Sequence, residues 1–395
     1  MAKARGFDAH DRATLLTIVG ELVRGIVPRY RALAQSGRIE LSTSPYAHPM
    51  LPLLIDFRAA LEAQPAAPLP ASSCYPGGAA RADVHVRTSR ERHAALFGSP
   101  PLGCWPSEGG VSDSALAALR ANGFIWAASG EAVLANTLRA RHTDPGPRDR
   151  YLYTPYAVHD DAGAIACFFR DDDLSDRVGF VYADWHADDA TANLVSALEG
   201  IADATADQPA PIVSIILDGE NAWEHYPENA YYFLSALYDR LSTDPKVRLT
   251  TYAEHLRGRP TSPGLEHVVA GSWVYGSFVT WIGDEDKNRG WDVLVDAKQA
   301  YDRAVASGKL DAAALARAEL QLRVCEGSDW FWWFGGYNPH EQVSDFERLF
   351  RQHLRDLYEM IGEPIPDRLA EVVSVGAGAP PYDGVMRQST QGAQS

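Results

Sequence analysis

The stretch IVSIILDGENAWEHYP, residues 212–227, decides how this chain folds. Its first part, Ile212 to Leu217, is a largely apolar and β-branched run, which predicts a buried strand. The run ends abruptly at Asp218, and Glu220 and Trp223 follow closely. Strands that end in acidic and aromatic residues are typical of α/β barrels, whose active sites lie at the carboxyl ends of the strands. The sequence therefore predicts an α/β fold.

Asp218 is the first candidate for a catalytic group. A carboxyl group at the mouth of an apolar strand is partly desolvated, so its pKa is expected to rise. A raised pKa suits a general acid that works near neutral pH. The simpler interpretation is that Asp218 only caps the next helix. A cap alone does not explain the tryptophan, the tyrosine and the further carboxylates beside it.

A second acidic position lies at the end of another predicted strand, in the segment GCWPSEGG, residues 103–110. Glu108 stands there between Pro106 and two glycines, which allow a ligand to approach closely or the backbone to adopt unusual angles. Taken alone, Glu108 is explained equally well as a helix-start glutamate favoured by the helix dipole. Together with Asp218 it indicates a site built from two carboxylates.

Two carboxylates at two strand ends, among tryptophan and tyrosine side chains, indicate chemistry on a glycosidic bond. A glycosidase needs one carboxylic acid to protonate the leaving oxygen and a second carboxylate as nucleophile or base. Aromatic rings stack on sugar faces because they combine apolar area with polar edges. The residues therefore predict a carbohydrate-active enzyme.

Five segments together resemble glycoside hydrolase family 57. They are LSTSPYAHP at 41–49, WPSEG at 105–109, LDGENAWE at 217–224, GSW at 271–273 and EGSDWFWW at 326–333. The resemblance extends over nearly the whole chain, from about residue 5 to about residue 365. It implies an α/β fold with an incomplete (β/α)7-type barrel followed by a helical C-terminal region. It also implies a retaining enzyme that acts on α-glucans.

The resemblance assigns roles to individual residues. The nucleophile of the family falls on Glu108 and its general acid/base falls on Asp218. The Asp-Gly-Glu-Asn form of the second motif most resembles the α-amylases and amylopullulanases. Further substrate-binding candidates are His48, Trp105, Arg170, Glu220, Trp223, Trp273, Asp329 and Trp330. No cofactor and no metal ligand is predicted.

Several of these candidates also have simpler interpretations. His48 is equally typical of a loop histidine whose ring is hydrogen-bonded within the protein. The acidic run after Arg170, residues 171–176, suits a solvated helix start as well as a substrate role. Core packing is expected to account for half of a dense aromatic set, which consists of Trp273, Tyr275, Trp281, Trp330, Trp332 and Trp333.

The order of the predicted elements divides the chain into three parts. These are a catalytic (β/α) barrel over residues 1–260, a helical domain over 261–375 that completes the cleft, and a disordered tail over 376–395. Members of family 57 normally begin with a strand that ends in His-Gln-Pro, and this motif does not occur here. We therefore expect the barrel to lack its first strand at the N-terminal side.

The predicted elements follow from periodicity and turn signals. Strands are predicted at 39–42, 123–128, 151–158, 165–169, 212–217 and 247–250, with a hairpin turn at 160–163. Helices are predicted at 286–306, 311–324 and 342–361. The N-terminal residues 9–35 predict helices that are broken near Pro28, because proline interrupts the helical hydrogen bonds.

The composition fits an enzyme of a neutral polysaccharide. The chain has 395 residues, with 36 basic against 52 acidic side chains and a net charge of −16. This balance argues against nucleic acid as a partner, because phosphate contacts require basic patches. The sequence has no apolar run of membrane-spanning length, and residues 1–6 lack an apolar secretory segment. We therefore expect a cytoplasmic protein whose partner is an α-glucan polysaccharide or oligosaccharide.

Other functions compete with this interpretation. A metal-dependent polysaccharide deacetylase uses a similar barrel, but the twelve histidines are scattered and the four cysteines form no Cys-x-x-Cys pair. A serine hydrolase requires a Gly-x-Ser-x-Gly elbow, which the sequence lacks. An inactive glucan-binding remnant is consistent with a missing first strand. Within the family, 4-α-glucanotransferase and branching activities stay open, because they differ from hydrolysis in how water is excluded from the covalent intermediate.

Overall fold

The computed structural model describes residues 3–141, 146–219, 222–258 and 262–378. The α-helices are α1 (Ala9–Gln35), α2 (Leu51–Ile55), α3 (Ala60–Ala63), α4 (Gly78–Phe97), α5 (Asp113–Ala121), α6 (Glu131–Ala140), α7 (Asp172–Asp176), α8 (Ala187–Ala204), α9 (Tyr231–Leu241), α10 (Tyr252–Arg257), α11 (Glu285–Ala306), α12 (Ala312–Cys325), α13 (Asp329–Trp333) and α14 (His340–Ile361). The strands are β1 (Gly103–Cys104), β2 (Trp126–Ser129), β3 (Tyr156–Asp160), β4 (Gly163–Phe169) and β5 (Gly264–Leu265). Within these ranges no helix combines the length and the apolar character needed to cross a membrane.

The strands form one mixed sheet in the order β1-β2-β4-β3-β5. The pairs β1–β2, β2–β4 and β3–β5 are parallel, whereas β3 and β4 form an antiparallel hairpin. Asp160 faces Gly163 at the tip of this hairpin, which confirms the turn predicted there. All of β2 and the second half of β4 are largely buried, so these parallel strands form the centre of the sheet.

Apolar side chains join the sheet to the helices. One hydrophobic cluster packs α5 and α6 against β2, β3 and β4. A larger cluster joins residues between Met50 and Tyr75 to the helices α11 to α14. Residues 50–75 therefore share one core with the C-terminal helices, although they precede the sheet in the sequence.

The helices predicted in the C-terminal part are confirmed. The predictions at 286–306, 311–324 and 342–361 correspond to α11, α12 and α14. Asp284 and Asp311 cap the first two, because each side chain accepts a backbone N–H of the first turn. Gly362 ends α14 in the left-handed conformation, with φ of 71°.

The N-terminal helix differs from its prediction, because α1 continues through Pro28 instead of breaking there. Proline removes one backbone donor, and the remaining bonds of this long helix maintain it. α1 begins at a capping box formed by Asp8 and Asp11. None of its residues is buried, and Arg31 donates to the carbonyl of Leu96 at the end of α4.

The strand predicted at 212–217 is wrong, since this segment has no regular strand pairing. The Ile212 N–H donates to the Tyr153 carbonyl at 2.9 Å, and the Ser214 carbonyl accepts the Asp171 N–H at 2.8 Å. The Ile216 N–H and carbonyl are bound by the side chains of Ser175 and Arg170. Isolated bonds and side-chain partners thus replace a strand ladder, and the apolar run lies beside the end of β4.

The strands predicted at 39–42 and 247–250 are also absent as regular strands. The first is reduced to a single bridge between Thr43 and Cys104. Glu40 instead accepts the indole N–H of Trp126 at 2.7 Å and the Ala253 N–H at 2.9 Å. A cavity of about 620 Å³ lies between the segments 211–217 and 246–252. This cavity separates the two segments, neither of which pairs as a regular strand.

Candidate active site

Glu108 closely follows β1 and has an unusual backbone conformation. Its φ of 55° and ψ of 29° lie in the left-handed region, which residues other than glycine rarely adopt. Gly109 continues the turn with φ of 57°, and the Ser129 hydroxyl donates to the Gly109 carbonyl at 2.6 Å. Backbone strain of this kind concentrates at functional sites. The turn therefore marks Glu108 as a candidate functional residue.

Trp273 binds Glu108 through both its side chain and its backbone. The indole Nε1 donates to Oε2 of Glu108 at 3.0 Å, and the backbone N–H donates to the Glu108 carbonyl at 3.1 Å. A hydrogen bond from an N–H group to a carboxylate is charge-assisted and favours the ionised form. Because Glu108 is half-buried, this donor fixes the carboxylate in a partly dry environment.

Trp105 and two glycines complete the packing around Trp273. The ring of Trp105 meets that of Trp273 edge-on, with centroids 5.2 Å apart and an angle of 77° between the planes. A Cβ on Gly109 would lie 2.8 Å from the Trp105 ring, and one on Gly130 would lie 2.6 Å from Cα of Trp273. Both glycines are required because the tryptophans approach the backbone so closely.

Arg170 packs against the ring of Trp273 and is only 5% exposed. Its guanidinium carbon lies 5.2 Å from the ring centroid, in a cation–π contact. Its Nε donates to the Ile216 carbonyl at 2.9 Å, and its two terminal nitrogens donate to Asp172 and Asp176 at 2.8 Å each. These contacts engage the guanidinium within the protein, so Arg170 lies where it supports Trp273 and the segment before Asp218.

Asp172 has a perturbed acidity because of its position beside Arg170. Burial raises the pKa of Asp172 to about 6, and the charge and hydrogen bond of Arg170 oppose this rise. The like charges of Glu131 and Asp176 add to it. Asp172 therefore titrates close to neutral pH, next to the arginine that contacts Trp273.

Asp218 lies two residues beyond the carbonyl that Arg170 binds. Ile216 is anchored on both sides, because its N–H donates to the Ser175 hydroxyl at 3.2 Å while its carbonyl accepts from Arg170. Asp218 itself is half-buried. The anchor at Ile216 restrains the segment that leads into Asp218.

Two of the predicted aromatic contacts are packed within the protein. Trp223 is partly buried and packs against Tyr226, with ring centroids 5.8 Å apart. Trp330 is buried in the helical core, where its Nε1 donates to the Val324 carbonyl at 3.0 Å. We therefore do not retain Trp330 as a sugar contact. Glu220, a further predicted contact, lies outside the described residues.

His48 and Asp329 form a second group. His48 also has a positive φ, of 57°, and its Nδ1 lies 3.0 Å from the Ser328 hydroxyl. The same nitrogen lies 4.0 Å from a carboxylate oxygen of Asp329, whose side chain is 65% exposed. The structure thus brings two predicted substrate-binding residues together, and Asp329 is the more accessible one.

Met50 connects this second group to Glu108. Met50 follows two residues after His48, and its sulfur packs on Gly110 so closely that a Cβ on Gly110 would lie 2.5 Å away. Gly110 in turn stands two residues after Glu108. The loop of His48 and the turn of Glu108 are therefore neighbours.

Residues 15–268 match the sequence profile of Glycosyl hydrolase family 57. The chain belongs to this family. The matched range covers more than half of the chain and includes both Glu108 and Asp218, which confirms the resemblance found in the sequence motifs. A comparison with curated proteins gave no significant match.

Similar solved structures include other members of family 57. A GH57 branching enzyme from Thermococcus kodakaraensis has 16% identity and a TM-score of 0.65, covering 86% of this chain and 69% of its own. An α-amylase from Thermotoga maritima has 14% identity and a TM-score of 0.64, with coverages of 91% and 75%. A 4-α-glucanotransferase from Thermococcus litoralis has 15% identity and a TM-score of 0.58, with coverages of 87% and 52%. At these identities the similarity concerns the fold, and it confirms the predicted incomplete (β/α)7-type barrel with a helical C-terminal part.

A buried polar cluster of this family 57 protein was not predicted from the sequence. Glu326, which shortly precedes Ser328, accepts hydrogen bonds from Tyr75, Arg81 and His85. The available signal was the spacing of Arg81 and His85, which lie one helical turn apart on α4 and so share a face. Their partner could not be found from the sequence, because it is more than two hundred residues away.

The described residues contain no group of three or more His, Cys, Asp or Glu side chains that is arranged to hold a metal ion. The cysteines Cys74, Cys104, Cys167 and Cys325 are free thiols. Burial raises the pKa of the Cys104 thiol, which lies near the Glu108 turn. Cys104 is therefore a protonated packing residue of this family 57 site.

Proposed function

We propose that this protein is a retaining glycoside hydrolase of α-1,4-glucans, such as starch, glycogen and maltooligosaccharides. Glu108 is the nucleophile and Asp218 is the general acid/base. The observation that carries the proposal is the strained turn of Glu108, whose carboxylate accepts the indole N–H of Trp273. The α-amylase, the branching enzyme and the 4-α-glucanotransferase among the similar structures support α-glucan as the substrate class.

The first half of the reaction transfers the sugar to Glu108. Its carboxylate attacks the anomeric carbon while Asp218 gives its proton to the glycosidic oxygen. The bond between the anomeric carbon and the glycosidic oxygen breaks, and the leaving chain departs with a new hydroxyl group. Trp273 binds one oxygen of the Glu108 carboxylate, so the group keeps a single orientation during the attack.

The second half of the reaction restores the free carboxylate of Glu108 and the protonated form of Asp218. Asp218, now ionised, takes a proton from water, and the resulting hydroxide attacks the anomeric carbon. The ester bond to Glu108 breaks, and the sugar is released with its original anomeric configuration. This mechanism requires the carboxyl groups of Glu108 and Asp218 to face each other at roughly 5–6 Å.

The remaining candidates are proposed as contacts to the glucan chain. Trp105 is partly exposed beside Glu108 and offers an aromatic edge and face to a sugar ring. His48 and Asp329 are paired polar groups suited to hydrogen bonds with sugar hydroxyls. Glu220 and Trp223 closely follow Asp218 in the sequence and are also proposed as contacts to the glucan chain.

A second candidate function is glucan transfer. It is favoured by the branching enzyme and the 4-α-glucanotransferase among the similar structures. The first half of the reaction is the same, but a sugar hydroxyl replaces water as the acceptor of the glucosyl group. Glu108 and Asp218 keep their roles in both cases.

The proposal is tested by product analysis with soluble starch, pullulan and maltoheptaose. The wild-type protein is compared with Glu108→Gln and Asp218→Asn, which are nearly isosteric changes and are expected to preserve the fold, and circular dichroism checks this. Hydrolysis releases reducing ends in proportion to bonds cleaved, whereas transfer redistributes chain lengths without a matching gain of reducing ends. Branching creates bonds that a debranching enzyme removes.

We expect turnover by the wild type and a loss of several orders of magnitude in both variants. The anomer released first from maltoheptaose, followed by NMR, is expected to be the α form. If a folded Glu108→Gln variant keeps wild-type turnover, the assignment of the nucleophile is wrong. Binding of maltoheptaose without any turnover by the wild type identifies a glucan-binding protein instead.

A further inference from the structure

Glu326 is a fully buried carboxylate with an unusually complete set of donors. Its Oε1 accepts from the Tyr75 hydroxyl and from Nε of Arg81, each at 2.7 Å. Its Oε2 accepts from a terminal nitrogen of Arg81 and from Nε2 of His85, again at 2.7 Å each. Burial alone would raise the pKa of Glu326, but the bonds from His85 and Arg81 lower it to about 2. Glu326 is therefore ionised at any pH at which the protein works.

His85 extends this cluster to the loop that carries His48. Its second ring nitrogen, Nδ1, contacts the carbonyl oxygen of Tyr46, and the Tyr46 N–H donates to the His85 carbonyl at 3.2 Å. Both ring nitrogens of His85 thus face oxygen acceptors, the carboxylate of Glu326 and the carbonyl of Tyr46. His85 consequently connects a fixed negative charge to the backbone of the loop.

The loop is strained immediately beyond this contact. Ala47 and His48 have φ values of 59° and 57°, two consecutive left-handed residues that are not glycine. Such a conformation is unfavourable for a residue with a Cβ atom and persists only where surrounding contacts enforce it. The conformation places the His48 ring against the Ser328 hydroxyl.

The chain after Glu326 holds the loop from its other side. The Ser328 N–H donates to the His48 carbonyl at 2.9 Å. Gly327 lies under the Ala47 carbonyl, where a Cβ would be 2.9 Å from the oxygen. The segment from Glu326 to Asp329 therefore binds His85 at one end and presents Asp329 at the other, with the strained loop between them.

From this arrangement we infer that His85 and Glu326 are positioning residues, which hold the strained loop so that His48 and Asp329 meet the glucan chain in a fixed geometry. The inference rests on the proposed function, because it assigns His48 and Asp329 to substrate binding. A buried charge cluster is expensive to form in the protein interior. Here it supplies the directional contact that keeps two unfavourable backbone conformations in place.

Two substitutions of His85 separate its two contacts. In His85→Gln the side-chain amide reaches the position of Nε2, so the bond to Glu326 is kept and the contact with Tyr46 is lost. In His85→Asn the amide takes the place of Nδ1, so the contact with Tyr46 is kept. His93→Gln is the matched control, because His93 is a buried histidine on α4 whose Nδ1 contacts the carbonyl of Ser99.

We expect His85→Gln to raise KM for maltoheptaose about tenfold, with kcat changed much less, because it loosens groups that bind substrate and transition state alike. His85→Asn is expected to recover most of this loss. His93→Gln is expected to lose comparable thermal stability without a change in KM. An equal KM for His85→Gln and wild type, with both folded, would overturn the inference.

A double-mutant cycle tests whether the effect passes through His48. If His85 acts by positioning His48, the double variant with His48→Ala and His85→Gln has the same KM as His48→Ala alone. Independent, multiplicative effects on KM would contradict the inference. Should His85→Gln fail to fold, Ser328→Ala removes the hydroxyl that the His48 ring contacts. An unchanged KM in that folded variant would also contradict the inference.

The same series distinguishes this inference from the proposed function. Maltoheptaose binding is measured by calorimetry in the Glu108→Gln background, where turnover is absent. If the wild type neither binds nor cleaves any α-glucan, both the proposed function and this inference are refuted. If the wild type cleaves starch but His85→Gln and Ser328→Ala bind maltoheptaose with unchanged affinity, only this inference is refuted.

Discussion

The indole nitrogen of Trp273 lies 3.0 Å from the Oε2 atom of Glu108. Trp273 comes from a loop more than 160 residues beyond Glu108 in the chain. Its backbone N–H also binds the Glu108 carbonyl, so one residue fixes both the side chain and the strained backbone of another. This double contact explains how an L-residue is held in the left-handed region at the end of β1.

Replacement of Trp273 by Phe is therefore expected to lower kcat without unfolding the protein. The ring is kept, but the charge-assisted hydrogen bond is lost, which is worth about 1.5–3 kcal/mol. This corresponds to a decrease of about 10- to 100-fold in kcat/KM for maltoheptaose if the bond is made in the transition state. Steady-state kinetics measure the effect.

Trp185→Phe provides the control for this change. Trp185 is an exposed tryptophan whose ring packs on Tyr182. Its replacement is expected to leave both kinetic constants unchanged. If Trp273→Phe is as active as Trp185→Phe, the indole N–H has no catalytic importance.

Arg170 joins the two catalytic candidates through a single guanidinium. It contacts the Trp273 ring on one side and binds the Ile216 carbonyl, two residues before Asp218, on the other. Lysine keeps the charge but cannot make three divergent hydrogen bonds. We therefore expect Arg170→Lys to lower kcat/KM about tenfold. Steady-state kinetics with maltoheptaose measure it.

Arg177→Lys is the matched control for Arg170→Lys. Arg177 is likewise an arginine paired with aspartate, because two of its nitrogens donate to Asp173, but this pair lies on the exposed surface. Exposed ion pairs contribute little, so its replacement should leave the kinetics and the stability nearly unchanged. Comparable activity of the two lysine variants would show that Arg170 does not support the site.

The parts of the fold that were predicted correctly depend on local signals. The hairpin between Asp160 and Gly163 follows from a turn sequence, and α11 and α12 follow from apolar spacing with the aspartate caps Asp284 and Asp311. These signals lie within the element that they define. The family resemblance supplied the barrel, because its motifs are spread from residue 41 to residue 333 and no single element contains them.

The predictions that failed depend on distant partners. A strand at 212–217 requires a neighbouring strand to pair with. Here the Ile216 N–H binds the Ser175 hydroxyl and the Ile216 carbonyl binds the Arg170 side chain instead. The role of Trp330 depends on α14, whose Phe350 packs on its ring. No local pattern distinguishes a tryptophan that binds sugar from one that binds a helix.

Asp218→Asn is expected to affect substrates according to their leaving groups. Starch has a poor leaving group that needs the proton of Asp218, so turnover should fall by about 10²- to 10⁴-fold. In an aryl α-glucoside the leaving group is an acidic phenol, which departs as the phenolate without needing a proton. The loss of turnover on this substrate should therefore be much smaller. Glu108→Gln is the comparison, because loss of the nucleophile should affect both substrates. Equal losses on both substrates in Asp218→Asn would exclude its role as general acid.

Gly130→Ala tests the close packing beneath Trp273. A Cβ at this position would lie 2.6 Å from Cα of Trp273, so the loop must shift. We expect a loss of about 1–3 kcal/mol in the free energy of unfolding, measured by urea denaturation, together with lower kcat. Gly200→Ala is the control, because Gly200 lies in α8 with open space around it and should gain about 0.5–1 kcal/mol. A neutral Gly130→Ala would mean that the Trp273 loop adapts freely.

Asp172 gives the stability of the protein a specific dependence on pH. Its pKa is raised by burial from the usual 3.8 to about 6, against the attraction of Arg170. Between these values the folded state keeps a proton that the unfolded chain has lost, so the free energy of unfolding falls as the pH rises. A difference of about two pH units corresponds to at most about 3 kcal/mol.

Asp172→Asn removes this titration while keeping an oxygen acceptor for Arg170. Relative to wild type, we expect the variant to become steadily more stable between about pH 4 and about pH 6.5, and the difference to stay constant above that range. Urea denaturation across this interval measures the difference. Asp173→Asn, at the exposed neighbouring carboxyl, should show no such trend. A constant stability difference between Asp172→Asn and wild type over the whole interval would show that Asp172 ionises normally in the folded protein.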